Sequence, residues 1–262
     1  RVFLYKLRKN IKTNKNLYLV LTLFFLAEIL INPIGEFPLN DDWAYAKTVK
    51  FFIKKGVIDS QNWGGSLFLT QLLFGTFFCK LFGFSFTLLR IIGVISGVLG
   101  IVIMYHILMQ IQDSMKVATI GSLLFAMNPI FLNGANSFHT DVPTTLFMLL
   151  SFFWFIRFFH SHSISSYALG VLFAIIACTI KQTSLSIGVA FFIYFIITSK
   201  RNIRNVIIAM LPLFIMGSSI YSYHIATTFF DVGLPGALIQ KDLYNIFWGK
   251  IYDLDPIVVK RM

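Results

Sequence analysis

Long apolar runs separated by short polar segments are the main feature of the chain between residues 17 and 226. They occupy 17–31, 88–111, 117–132, 143–159, 167–180, 185–198 and 206–226. A helix needs about 20 apolar residues to cross a bilayer, and backbone groups there must bond within the segment. The runs do not alternate as the strands of a membrane barrel would. The pattern predicts an all-α, polytopic transmembrane helix bundle with about seven spans.

A further apolar run, 67–82, is left out of the seven because it is short and carries Lys80 near its end. Segments of this length are often interfacial or re-entrant. The residues before it, from the helix breakers Asn32, Pro33 and Gly35 onward, are largely polar. We therefore expect 32–87 to form a first extracytoplasmic loop that contains interfacial helices.

Basic residues support this topology, because they concentrate in cytoplasmic loops of membrane proteins. Half of the 22 lysines and arginines fall in four short segments, 1–16, 112–116, 157–166 and 199–205. If 67–82 crossed the membrane, the basic segment 199–205 would move to the outer side. In the seven-span arrangement the N-terminus and Arg201 are cytoplasmic. Asp41, Asp141, Lys181 and an amphipathic tail, 231–262, are then outside the plasma or inner membrane.

Composition agrees with a lipid environment, since 57% of the 262 residues are hydrophobic and only 13% are charged. In a soluble protein the net charge of +11 would favour nucleic acid. Here the basic residues flank apolar runs, where they orient helices and contact lipid headgroups. We expect membrane lipids, and no nucleic acid, as partners. Cys79 and Cys178 lie inside apolar runs and are expected to act as small hydrophobes.

The 11 acidic residues include three that the topology places on one side of the membrane. Asp41 and Asp42 are adjacent in the first loop, and Asp141 lies between the third and fourth spans. Carboxylates that share a cleft can act as a general base or hold a hard divalent cation. The alternative is that they are solvated or cap helices, since Asp141 lies two residues before Pro143, at a plausible helix start.

Candidate ligands for phosphate or metal lie on the same side. His139 could join Asp42 and Asp141 around a divalent cation, although no cofactor is clearly indicated. Lys181 and Arg90 could bind a phosphate, or their side chains could extend to lipid headgroups. Lys181 interrupts two apolar runs, and a cation at such a depth is costly enough to suggest a function.

Several short strings in this order resemble the GT-C membrane glycosyltransferases, in particular the protein O-mannosyltransferases and the lipid A aminoarabinose transferases. The strings are Asn40-Asp41-Asp42-Trp43-Ala44-Tyr45, Leu81-Phe82-Gly83-Phe84-Ser85 with Leu88-Leu89-Arg90, Asn128-Pro129, His139-Thr140-Asp141-Val142-Pro143 and Lys181-Gln182-Thr183. They cover roughly residues 17–200. Each string is weak alone, and their order and side of the membrane make the set specific.

The resemblance implies transfer of a sugar from a polyprenyl-phosphate carrier to a lipid, glycan or protein acceptor on the outer face. Asp41 matches the family's catalytic base, Asp42 the acidic residue that follows it, and Asp141 a further catalytic acidic residue. Tyr45, His139, Lys181 and Arg90 are the candidates for substrate binding.

The sequence also departs from the family pattern. Trp63-Gly64-Gly65-Ser66 stands where many members have His-Pro-Pro or Lys-Pro-Pro, which bears on the donor or acceptor class. Members usually have more spans and a further C-terminal region. We therefore expect 1–262 to be a single, incomplete GT-C-like transmembrane domain.

Two other functions remain open at the level of the sequence. A lipid or solute transporter or flippase would place ionisable residues inside its spans, and Glu28 in the first run is the main residue of that kind. A non-enzymatic membrane protein would place no chemical demand on the acidic loops.

Overall fold

The computed structural model describes residues 15–39, 41–56, 58, 66–199 and 202–229. These residues form helices joined by loops, and no β-strand occurs among them, so the all-α prediction is confirmed. The helices are α1 (Lys15–Ile31), α2 (Asp42–Lys55), α3 (Leu69–Phe82), α4 (Phe86–Gln112), α5 (Met115–Ala126), α6 (Pro129–Ala135), α7 (Asp141–Ser161), α8 (Ile164–Ile180), α9 (Leu185–Thr198) and α10 (Ile203–Phe229). The expectations for the first 14 residues, Arg201 and the tail 231–262 concern residues outside this described part.

Three of the described helices are long and apolar enough to cross a membrane: α4, α7 and the Ile203–Tyr223 part of α10. The pair α5 and α6, bent by 64°, makes a fourth if it counts as one span. α3, α8 and Gln182–Thr198 are apolar but shorter. Large apolar side chains such as Leu30, at 86% exposed, and Ile130, at 81%, point outward, as a lipid-facing surface requires. Three or four candidate spans are present, and the count of seven stays a prediction.

The predicted run 117–132 consists of two helices rather than one. α5 ends before Asn128 and α6 begins at Pro129. Asn128 Oδ1 accepts hydrogen bonds from the backbone N–H groups of Ile130 at 2.9 Å and Phe131 at 3.3 Å. Proline lacks the N–H that a continuing helix would use but fits the first position of a new one. The Asn-Pro pair therefore starts a second helix at an angle to the first.

The two short runs 167–180 and 185–198 form a tight helical hairpin. Lys181 has an extended backbone, and Gln182–Ser184 form a single 3₁₀ turn before α9. The rings of Tyr167, near the start of α8, and Phe191, in α9, lie 5.9 Å apart. α9 therefore runs back along α8, and the side chain of Lys181 lies at the end of the hairpin.

Helix ends and loops meet at one end of the bundle. Beside the start of α4, Gly35 N–H donates to Thr87 Oγ1 at 3.0 Å, and Thr87 Oγ1 donates to Gly35 O at 3.2 Å. At the start of α7, Asp141 pairs with Lys181 from the end of α8. We call this end, made of 32–39, 41–42, 66–68, 85–90, 136–141 and 181, the polar end.

Both ends of α3 lie at the polar end. Just before it, Phe68 N–H donates to the carbonyl oxygen of Ile180 at 2.8 Å, and the hydroxyls of Thr70 and Thr179 lie 2.6 Å apart. After it, three residues lead directly into α4. α3 therefore lies across the end of the bundle instead of traversing it. The interfacial position expected for 67–82 stays a prediction.

Gly93→Ala is expected to destabilise the protein, because α4 contacts the backbone of the segment after α6 at this position. A Cβ on Gly93 would lie 2.6 Å from the carbonyl oxygen of Ala135 and 2.8 Å from that of Ser137. Backbone oxygens cannot move aside as a side chain can, so we expect a loss of about 1–3 kcal/mol. Gly217→Ala is the matched control, since a Cβ there meets nothing within 4 Å. Thermal unfolding in detergent measures both, and equal melting temperatures for the two variants would contradict this packing.

Candidate active site at the polar end

Arg90 anchors the loop between α1 and α2. Its side chain is 1% exposed. Nη1 donates to the carbonyl oxygens of Pro33 at 3.1 Å and Gly35 at 3.0 Å, and Nη2 donates to that of Phe37. A buried guanidinium is costly unless its N–H groups are bonded. These contacts give Arg90 a structural task, and its predicted contact with the substrate stays a prediction.

Glu36 ties the same loop to the N-terminus of α4. Its Oε1 accepts from the hydroxyl of Ser85 at 2.6 Å and from Thr87 N–H at 3.3 Å, and its Oε2 accepts from Phe86 N–H at 3.0 Å. These hydrogen bonds, with that from Ser85 the largest contribution, lower the pKa of Glu36 to about 2. The carboxylate is therefore charged at neutral pH and suits the positive end of the helix dipole.

Asp42, the second residue of the acidic pair, is buried with Arg90. Each side chain is 1% exposed, and Asp42 Oδ2 lies 3.9 Å from Arg90 Nε. Asp42 Oδ1 accepts from Leu39 N–H at 2.9 Å. Its charge is thus compensated inside the protein, and it fixes the start of α2 against the loop that Arg90 holds.

Asp41 has different surroundings, although it is the adjacent residue. It occupies the N-cap position of α2, yet its side chain makes no capping hydrogen bond. It is partly exposed, in contrast to the buried Asp42. The helix therefore does not use the Asp41 carboxylate as a cap, and solvent or a substrate can reach it.

Asp141 and Lys181 form the second charged element of the polar end. Lys181 Nζ lies 2.5 Å from Asp141 Oδ1, and the side chains are 30% and 58% exposed. Asp141 begins α7, and Lys181 follows the last residue of α8. Phe158 near the end of α7 and Tyr167 near the start of α8 have their rings 5.2 Å apart, so α8 runs back along α7. This packing brings together two residues that are 40 positions apart.

A set of buried hydroxyl and aromatic contacts joins the two charged elements. Tyr45, one turn into α2, places its hydroxyl 3.5 Å from Ser66 Oγ. Ser66 Oγ is in turn 3.1 Å from Thr140 Oγ1, and the rings of Tyr45 and His139 are 6.1 Å apart. The first turn of α2, with Asp41, therefore lies beside the segment that leads into Asp141. Both residues belong to strings compared with the family, but the sequence assigns no role to Ser66 or Thr140 themselves, because their contact exists only in the folded chain.

The predicted metal site is not supported by a cluster of three ligands among the described residues. Within the described ranges, no group of three or more His, Cys, Asp or Glu side chains is placed to hold an ion. Of the three candidates, Asp42 lies next to Arg90 and Asp141 next to Lys181.

An apolar groove of about 330 Å³ opens between α3, α4 and α7, and it begins at the polar end. Pro143 and Ile180, which line it, lie two residues from Asp141 and directly before Lys181. Phe78, Ile95 and Leu99 continue its wall toward the middle of α4. A larger cavity of about 550 Å³ lies at the other end of the bundle, beside Gln110 and His160. The groove therefore reaches Ile180, the residue directly before Lys181, although Lys181 itself is not part of its lining.

An apolar helix bundle that has three candidate spans and large apolar side chains on its surface defines an integral membrane protein. The chain belongs to the dolichyl-phosphate-mannose-protein mannosyltransferase family, whose sequence profile matches residues 70–223, more than half of the chain. It is thus a membrane glycosyltransferase of the GT-C type. No individual curated protein matches the sequence.

The family match covers part of the candidate site. Arg90, His139, Asp141 and Lys181 lie within residues 70–223. Asp41, Asp42 and Tyr45 precede the matched region. Their assignment therefore depends on the first-loop string and on the contacts of α2.

Proposed function

We propose that the protein transfers a sugar from a polyprenyl-phosphate carrier to an acceptor hydroxyl at the extracytoplasmic face of the membrane. The observation that carries this proposal is the Asp141–Lys181 ion pair beside the apolar groove, whose lining includes the neighbouring residues Pro143 and Ile180. A carrier of this class has an anionic phosphate and a long hydrocarbon chain. A lysine is a point-charge partner for phosphate, and the groove offers apolar contacts to the chain.

Asp41 acts in this mechanism as the general base. Its carboxylate takes the proton of the acceptor hydroxyl as the hydroxyl oxygen attacks the anomeric carbon. The bond from that carbon to the phosphate oxygen breaks, and the carrier phosphate leaves with the electron pair. The Lys181 ammonium stabilises the charge that grows on this phosphate, so no proton from a strong acid is needed.

The other candidates support this chemistry. Asp42 and Arg90 hold the start of α2, which carries Asp41. Asp141 orients Lys181 through their ion pair. Tyr45 and His139 provide neighbouring rings beside which the sugar would lie.

A transfer assay with the full-length protein tests the proposal. Membranes that contain it would be given radiolabelled polyprenyl-phosphate sugars with lipid, glycan and protein acceptors in parallel. Membranes with an equal amount of a variant carrying both Asp41→Asn and Lys181→Ala are the control. We expect label to reach one acceptor class in the wild type and not in the control, and equal background for every donor would refute the function.

We further propose seven spans with the N-terminus in the cytoplasm, so that loop 32–87 and the polar end are extracytoplasmic. A membrane-impermeant thiol reagent applied to intact cells should then label Asp141→Cys and leave Arg204→Cys unlabelled. The native Cys79 and Cys178 are at most 3% exposed, so the parent protein is a low-background control. Labelling of both variants from the outside would contradict this topology.

A further inference from the structure

The segment 136–140, which joins α6 to α7, is a loop with a buried interior. Asn136, Ser137, Phe138 and Thr140 are each at most 3% exposed. The segment carries His139 and leads directly into Asp141. Contacts that fix this backbone therefore also fix the positions of His139 and Asp141.

The first side chain that holds the segment comes from α1. Glu28 is 5% exposed although it lies in an apolar helix. Its Oε1 accepts from Asn136 Nδ2 at 3.1 Å, and the same Nδ2 donates to the carbonyl oxygen of Leu132 at 2.9 Å. A carboxyl group inside an apolar helix is expensive and suggests a function. Here its contact is with the start of the segment, 108 positions away.

The second side chain comes from α3. Gln71 is 2% exposed, and its Nε2 donates to the carbonyl oxygens of Phe138 at 3.3 Å and His139 at 3.2 Å. Both bonds go to main-chain oxygens, so they fix the course of the backbone and not a side-chain rotamer. A third contact, between Ser66 and Thr140, fixes the end of the segment.

We propose that Glu28 and Gln71 are positioning residues that hold the 136–140 segment, and through it His139 and Asp141, in the geometry for transfer. This inference rests on the proposed function. Glu28 lies outside the lining of the apolar groove, and Gln71, which is part of that lining, acts here through its two hydrogen bonds to the main chain. Buried polar groups add little net stability compared with apolar packing, so their placement on one functional segment is better explained by positioning. It also gives Glu28 a role other than transport.

Two pairs of variants separate positioning from general stability. Glu28→Leu removes the acceptor at similar size, while Glu28→Gln keeps an oxygen that accepts from Asn136. Gln71→Met removes the donor and keeps the length of the side chain. Ser151→Ala is the matched control, because Ser151 Oγ donates at 2.8 Å to Gly170 O and is equally buried, but in the middle of α7.

Amide hydrogen exchange over 136–145, in detergent and without substrate, is the first measurement. Glu28→Leu and Gln71→Met should each raise exchange there about tenfold or more, as expected for loss of a buried hydrogen bond. Glu28→Gln and Ser151→Ala should leave it near the wild-type level. In the transfer assay the same two variants should lower kcat about tenfold to a hundredfold. In Glu28→Leu the KM for the donor should change less than about twofold, because Glu28 is not among the residues that line the groove.

Each other outcome counts against the inference. Unchanged exchange in Glu28→Leu and Gln71→Met would show that packing alone holds the segment. A rise spread over all helices would make the two residues merely structural. Equal damage from Glu28→Gln and Glu28→Leu would mean that the charge itself is needed. If the wild-type protein transfers no sugar, the proposed function fails, while the exchange data still decide whether the segment is held in this way.

Discussion

Asp41→Asn is expected to abolish sugar transfer while leaving the fold intact. The substitution removes the proposed base and changes the volume of the side chain very little. Loss of a general base typically costs 10²- to 10⁴-fold in rate, so we expect turnover to fall by about that factor. Because the Asp41 side chain caps no helix, helix content by circular dichroism and the melting temperature should match those of the wild type.

Asp42→Asn is the matched comparison, since the same chemical change is made one residue away. It leaves the buried Arg90 guanidinium without its carboxylate neighbour, and breaking a buried ion pair costs about 3–5 kcal/mol. We expect a lower melting temperature, with loss of activity following loss of structure. Near-normal turnover in Asp41→Asn, or an equal fall in melting temperature for both variants, would remove Asp41 from the role of base.

The sequence alone does not show that Asp42 is buried beside Arg90 while Asp41 is partly exposed. Two adjacent carboxylates in a polar loop look alike in any pattern. Only the position of Arg90, which the chain brings back from 48 residues later, buries one of them. The sequence likewise does not show the hydrogen-bond partner of Glu28, because Asn136 is 108 positions away.

The helices themselves were easier to predict. The run 88–111 corresponds to Phe86–Gln112, and 143–159 corresponds to Asp141–Ser161, because apolar length decides where a membrane helix lies. The break at Asn128-Pro129 was missed although its chemistry is local. The capping oxygen of Asn128 and the missing N–H of Pro129 are local signals of a helix start, and the continuous apolar character of 117–132 hides them.

Some candidate site residues can be predicted from the sequence, and others cannot. Lys181 was singled out because it interrupts apolar runs, and its pairing with Asp141 joins two residues that the sequence had selected for separate reasons. Ser66, Gln71 and Thr140 were not selected. Their contacts are hydrogen bonds of uncharged groups between distant segments, and such contacts exist only once the helices have packed.

Lys181→Ala is expected to weaken use of the donor about tenfold to a hundredfold, as loss of one charge-assisted contact implies. The effect should appear in the KM for the polyprenyl-phosphate sugar and also in kcat, because Lys181 both binds the phosphate and stabilises the charge that grows on it. Lys181→Arg should keep partial function because it keeps the charge, although its geometry differs. Lys80→Ala is the control, since Lys80 is an exposed lysine near the end of α3, and its loss should leave the donor KM unchanged.

Asp141→Asn should lower the KM for the donor, whereas Lys181→Ala should raise it. In the resting protein Lys181 is already paired with Asp141, and both side chains are partly exposed. Ion pairs of this kind contribute roughly 0–1 kcal/mol, so the singly charged phosphodiester of the donor can compete with the carboxylate for Lys181. Without that competitor the donor should bind more tightly, while kcat falls because Lys181 is no longer oriented.

Wild-type donor dependence in both Lys181→Ala and Lys181→Gln would instead make Lys181 an anchor to lipid headgroups. The phosphate would then need another cation, and Arg90 could serve only by giving up the carbonyl oxygens that it now holds.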